Sequence, residues 1–221
     1  LHPGNAARHL RDADVVIDAA DSFAVSYTLS DLCLRANIPL ISGSALGLRG
    51  YVGGFCAAAP SLRAVFPELP GSGATCASAG VMGPLVGAIG ALQAQMALQV
   101  LLGLETSPLG RIMTVDMQTM QLGGFTFHGA TEPDFLVPFL TLQEVCVADR
   151  LIDLRDTDEA PAPLLPQAER RAPDRIDEVV PDPDRRVVLC CATGLRAWRA
   201  AARLYESGHR NLALVAASAC A

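Results

Sequence analysis

Nowhere in these 221 residues does a strand lead into the Gly-x-Gly-x-x-Gly turn that cradles a pyrophosphate; Gly43 to Gly47 lies in the wrong place and Gly71 to Gly73 follows no strand. That absence excludes a complete nucleotide-binding half within this sequence. Charge is also sparse, at 18% of residues, and the net charge of −6 argues against nucleic acid as a partner. No basic and apolar signal peptide opens the chain. Seven cysteines, at 33, 56, 76, 146, 190, 191 and 220, are odd in number and lie mostly in apolar runs, as expected of reduced thiols in a cytoplasmic protein. From Thr75 to Gly103 there is no charged residue at all, which raises the question of a membrane span. Gln93, Gln95 and Gln99, the helix-weakening Gly83, Gly87 and Gly90, and the lack of a flanking basic or aromatic belt argue instead for a core or dimer-interface helix and no membrane partner.

What is present supports a packed core. Hydrophobic residues make up 51% of the sequence, enough for one domain or two small ones. Asp14 to Asp21 reads as an apolar strand with an acidic exit; a helix to about Ala36 and a strand from Ile38 to Ser42 follow. Strand, helix, strand is the unit of a doubly wound α/β sheet, which binds ligands at the carboxyl ends of its strands, where Asp21 sits. Gly83, Gly87 and Gly90 share one helix face, so another backbone could approach closely, and Pro84 suits the first turn. Gly110 to Asp116 and Met120 to Phe127 read as a hairpin. Gly129 to Glu144 reads as a linker, and Thr157 to Asp184, rich in Pro and charge, reads as largely irregular.

The stretch Thr75-Cys76-Ala77-Ser78-Ala79-Gly80-Val81, with the Gly-Pro-Leu-Val-Gly-Ala-Ile-Gly run after it, resembles the cysteine loop and following helix of the ThiF/MoeB/HesA family, bacterial relatives of ubiquitin-activating enzymes. Asp18-Ala19-Ala20-Asp21-Ser22-Phe23 resembles that family's Asp-x-Thr-Asp-Asn-Phe signature, with Ser22 in place of Asn and Ser26 in place of a later Arg. The resemblance implies that Asp21 binds magnesium and the phosphates of ATP, and that Cys76, just before a helix N-terminus, is a candidate for a covalent link to the C-terminus of a small ubiquitin-like sulfur carrier protein. Many family members carry Cys-x-x-Cys where this chain has Ser61-Leu62-Arg63-Ala64, and a second pair near His128 to Phe135; neither is present, so no zinc site is expected.

Further on, Arg186 to Cys190 reads as a strand, and Cys191-Ala192-Thr193-Gly194-Leu195-Arg196 leads into a helix to Ser207. A six-residue loop there would wrap backbone N–H groups around the Cys191 sulfur, with Arg196 adding positive charge. Cys190 ends the apolar strand and reads as a core residue. The arrangement resembles the rhodanese sulfurtransferase loop, and Leu151-Ile152-Asp153-Leu154-Arg155 resembles that family's early Asp-x-Arg strand. The segment is shorter than a full rhodanese domain and lacks the Gly-Gly near its end.

Together these readings give an α/β protein. Residues 1–128 form a doubly wound, mostly parallel Rossmann-like sheet lacking its N-terminal nucleotide-binding half, 129–148 a linker, and 149–221 a small rhodanese-like α/β domain. The resemblance implies ATP- and magnesium-dependent adenylation of the C-terminal glycine of a ubiquitin-like sulfur carrier protein, then sulfur transfer to give a thiocarboxylate, in a homodimeric cytoplasmic enzyme. The competing expectations are a degenerate, non-catalytic binding or dimerisation module, or rhodanese activity alone.

Overall fold

The computed structural model describes residues 1–68, 79–180, 182 and 184–219. They form two compact units. One comprises Ala6–Ser22 and Leu29–Pro133; the other comprises Leu1–Asn5, Phe23–Thr28 and Asp134–Ala221.

The chain opens with helix α1 (Pro3–Leu10), strand β1 (Val16–Asp18) and helix α2 (Phe23–Ala36), followed by β2 (Leu40–Leu46), β3 (Arg49–Phe55), the single turn α3 (Leu62–Val65), the long helix α4 (Gly83–Leu101), β4 (Arg111–Asp116) and β5 (Gln121–Thr126). The five strands make one sheet in sequence order. Only β1 and β2 run parallel; β2–β3, β3–β4 and β4–β5 are antiparallel. The sheet is therefore mixed, not mostly parallel as expected. The reason is the two-residue connection at Gly47 and Leu48, because a parallel neighbour needs a crossover of about a dozen residues. The hairpin expected near 110–127 is present as β4 and β5.

Helix α4 covers one face of this sheet. Leu85, Ile89, Gln93, Met96 and Ala97 recur at helical spacing and are buried. Ile89 and Leu85 pack with Val115, and Met96 and Ala97 with Ile41, Val52 and Leu109. Glycine in the strands permits this approach: a Cβ at Gly43 would stand 2.9 Å from both Gln93 Cδ and Ile89 Cγ2. Pro84 lies in the first turn, as expected. By length and composition α4 could cross a membrane, yet one whole face of it is the cover of the sheet. Gly83, Gly87 and Gly90 point the other way, since a Cβ on any of them would meet nothing within 4 Å. Val86, Leu98 and Leu101 are exposed beside them.

The second unit contains β6 (Arg150–Asp153), β7 (Glu169–Arg170), β8 (Val187–Cys191), helix α5 (Leu195–Glu206) and β9 (Leu212–Ala216). Its sheet, in order β7-β6-β8-β9, is parallel throughout. The run Val187 to Cys191 is buried at every position, as suits a strand covered on both faces. Val188 and Cys190 face a cluster with Leu151, Ala213 and Val215. Ala197, Trp198, Ala201 and Leu204 form the buried stripe of α5. The stretch read as a linker is partly ordered against this sheet: Leu140 N–H donates to Leu214 O at 2.7 Å and Leu214 N–H to Pro138 O at 2.9 Å. Those bonds cover the outer edge of β9. Thr141 and Glu144 then close a capping box on a single 3-10 turn. In the stretch read as irregular, β7 and a 3-10 helix over Pro173–Glu178 form, anchored by the fully buried Ile176.

Candidate functional site

Two places bring chemistry-bearing residues together, one in each unit. In the first, β1 ends at Asp18, whose side chain is only 1% exposed. Its carboxylate accepts from Ala20 N–H at 3.2 Å and from Ser42 Oγ at 2.9 Å, Ser42 being its register partner on β2. Gln93 from α4 donates Nε2–H to the Asp18 carbonyl at 2.6 Å. From the sequence alone Gln93 is only an argument against a membrane span, and Ser42 has no assigned role. Their signal was the placement of polar residues within otherwise apolar periodic segments.

Asp21 lies three residues beyond Asp18, exposed, with φ of 49°. Aspartate is among the few residues that tolerate this left-handed backbone. The buried Asp18 thus fixes the βα turn, and Asp21 presents its carboxylate from it. One hard oxygen ligand fits magnesium, which is held through one or two carboxylates together with nucleotide phosphates. A phosphate cradle is not found among the described residues, and Ser26 supplies no cation. Cys76 lies outside the described residues.

The donor set where relatives of the resembled family hold zinc does not fit that metal. Ser61, 1% exposed, donates its N–H to Glu132 Oε1 at 2.7 Å and its hydroxyl to Glu132 Oε2 at 2.5 Å. The same hydroxyl caps α3, accepting from Arg63 N–H at 3.1 Å and Ala64 N–H at 3.3 Å. Arg63, also buried, grips Asp31 with two bonds of 2.6 and 2.9 Å. Hydroxyl, carboxylate and guanidinium satisfy one another here, without the soft nitrogen and sulfur ligands of a structural zinc centre.

In the second unit, β8 delivers two adjacent cysteines to opposite sides. Cys190 turns into the core cluster. Cys191 turns into the loop, where Gly194 N–H points at its Sγ from 3.2 Å and Ala197 N–H from 3.4 Å. Gly194 is left-handed, with φ of 90°, and a Cβ there would stand 2.5 Å from Phe139 Cε1, so glycine is required for the loop to close. Two convergent N–H groups at the start of a helix form an anion-holding cup. Arg196 donates to the Leu154 carbonyl at 3.4 Å and to both Glu159 oxygens at 2.5 and 2.6 Å. Its pKa is raised chiefly by Glu159, against the effect of burial, with a smaller contribution from the Cys191 sulfur. Asp153, buried completely, binds Arg155 through two bonds and accepts the Leu164 N–H at 2.9 Å. Burial pushes the Asp153 pKa upward, but Arg155 and the backbone donors outweigh it and hold the carboxyl below its ordinary value. Cys33 and Cys56 are different in kind: burial pushes both up to about 12, so they stay protonated thiols at neutral pH.

Each unit thus sets one chemistry-bearing residue at the end of a parallel strand, an acid in the turn after β1 and a thiol in the loop after β8. The family model described as "ThiF family" matches residues 1–134, and the chain belongs to the ThiF family. Adenylyltransferase and sulfurtransferase MOCS3 of Drosophila sechellia is 39% identical over 119 residues, covering 52% of this chain and 26% of that protein. MOCS3-1 of Zea mays is 36% identical over 137 residues, covering 61% and 29%. MOCS3 of Anopheles gambiae is 40% identical over 122 residues, covering 52% and 26%. The match thus spans under a third of the length of each of these relatives. Among solved structures, that of E. coli MccB with MccA-N7isoASN superposes with a TM-score of 0.45 at 16% identity, covering 56% of this chain and 41% of that one.

Proposed function

We propose that this chain belongs to an enzyme that adenylates the C-terminal glycine of a ubiquitin-like sulfur carrier and converts it to a thiocarboxylate. Membership of the ThiF family and likeness to proteins named adenylyltransferase and sulfurtransferase support the first step. The observation that carries the second is the pair of N–H groups converging on Cys191 Sγ, in a segment we read as a short rhodanese-like domain.

In the adenylation step the carrier carboxylate attacks the α-phosphate of ATP and pyrophosphate leaves. Asp21 is the residue of this chain that would hold magnesium, whose charge offsets that of the phosphates. Asp18, Ser42 and Gln93 hold the turn that presents it. In the sulfur step a persulfide on Cys191, stabilised as an anion by Gly194 and Ala197, attacks the acyl carbon and AMP leaves. Release of the thiocarboxylate needs one more thiol, from Cys76 or an external donor, which takes the Cys191 sulfur into a disulfide. The exposed glycine face of α4 supports a homodimer, since no described residue of this chain covers it. A cytoplasmic setting would keep the thiols reduced.

The test is ATP–pyrophosphate exchange by the purified protein with and without a carrier ending in glycine. Carrier-dependent exchange that falls at least about tenfold in Asp21→Asn is expected, a loss in keeping with one lost metal contact. A protein that shows no exchange under any carrier sinks the first step. A second reading, sulfurtransferase activity alone, is favoured by one observation: the Cys191 sulfur and both N–H groups that hold it come from one continuous stretch of a single unit. It would be upheld by persulfide transfer without any exchange.

A further inference from the structure

The guanidinium nearest the Cys191 loop is not open to an incoming anion. Arg196 Nη2 lies 2.5 and 2.6 Å from the two oxygens of Glu159, and Nη1 bonds the Leu154 carbonyl. Glu159 is itself held in place: its N–H donates to Asp156 Oδ1 at 2.7 Å, and Ala160 N–H donates to the Asp156 carbonyl at 3.0 Å. The same turn carries Asp156 and Asp158, both exposed. Arg155, at the end of β6, is gripped by Asp153. Backbone N–H groups thus hold the sulfur, while carboxylates answer the charge of both flanking arginines.

We propose, resting on the sulfurtransferase reading above, that Glu159 is a specificity-determining residue: by cancelling the charge of Arg196 it makes the Cys191 site disfavour small dianionic sulfur donors and accept a singly charged persulfide. The cup has two N–H donors for one sulfur anion, and a thiosulfate dianion would bring two charges to a loop whose one arginine is already paired with Glu159, on a turn that also carries Asp156 and Asp158. With thiosulfate, the Cys191 thiolate attacks the outer sulfur. The sulfur–sulfur bond breaks, its electron pair leaves with sulfite, and Cys191 is left as a persulfide anion. Cyanide then takes the terminal sulfur as thiocyanate and restores the thiolate. A persulfide donor transfers the same sulfur and leaves as its own thiolate. Neither route needs an oxidant.

The test compares the protein with Glu159→Gln and Glu159→Asp, using thiosulfate and then 2-mercaptoethanol persulfide, whose one charge is on the persulfide, as donors. In Glu159→Gln the KM for thiosulfate is expected to fall about three- to tenfold with kcat changed less than about twofold, the range for one partly exposed charge. That gain should shrink at about 0.5 M salt, and the KM for 2-mercaptoethanol persulfide should move less than about twofold. Glu159→Asp keeps the charge and should keep the high thiosulfate KM. An unchanged or raised thiosulfate KM in Glu159→Gln, or equal shifts for both donors, would overturn the proposal. If intact mass shows that no donor adds sulfur to Cys191 in any of the three proteins, the sulfurtransferase reading fails and takes this inference with it. Sulfur addition without the KM shift defeats the inference alone.

Discussion

The two units place their reactive residues by opposite means. At the end of β1, Asp18, Ser42 and Gln93 come from three elements up to 75 residues apart and interlock below an exposed Asp21. At the end of β8, one continuous stretch from Cys191 to Ala197 supplies the sulfur, the glycine turn and both N–H donors. A strand–loop–helix cup is a local object, whereas a carboxylate turn at a sheet edge depends on partners from across the sheet.

The sharpest way to break the comparison is to remove the sulfur. Cys191→Ala should reduce persulfide formation by about a hundredfold or more, because no other described cysteine sits in such a loop. Carrier-dependent exchange should survive, since the proposed adenylation rests on Asp21 in the other unit. Paired assays of the two reactions check this. Loss of both together would show that the two sites do not work separately.

A smaller effect tests how the first unit holds its own ends. Glu132→Ala leaves the buried Ser61 N–H and hydroxyl without acceptors and should lower stability by about 2–3 kcal/mol. Thermal melting measures this. The same carboxylate explains why a chelator should leave the melting temperature of the parent protein unchanged. A drop of several degrees with EDTA would mean that a metal, and not this carboxylate, ties the segments.

Much of the second unit was legible from sequence because its signals are short in range. Val187 to Cys191 is a run of buried positions, and Gly194 stands where a left-handed residue is needed. The first unit was harder to read. Its βαβ start was visible, but the antiparallel turn at Gly47 and Leu48 was not, since glycine-rich strands weaken the period-two pattern. Gly43 and Gly50 are there to admit Ile89 and Gln93, a partner more than 35 residues away that no local pattern announces. The glycines of α4 were legible as one face, yet not the direction in which that face points.

The smallest effect separates the units by pH. Asp153 and Asp149 are buried acids of the second unit; burial raises their pKa values, but Arg155 and Arg186 together with backbone N–H donors outweigh it and lower both. An acid depressed in the folded state stabilises the protein above its unfolded pKa, near 4, and that contribution disappears as pH falls through the lower folded value. The second unit should therefore lose stability below about pH 4. Trp198, the single tryptophan, lies in α5 of that unit and is nearly buried, so its fluorescence reports there and not on the first sheet. Arg155→Gln removes the charge that holds Asp153 ionised and should cost about 1.5–3 kcal/mol, the range for a hydrogen bond to a charged group. It should also move the acid midpoint of Trp198 fluorescence upward, because Asp153 would then take up its proton at higher pH. A midpoint that stays put would mean that the backbone donors of Arg155 and Leu164 hold the carboxylate by themselves.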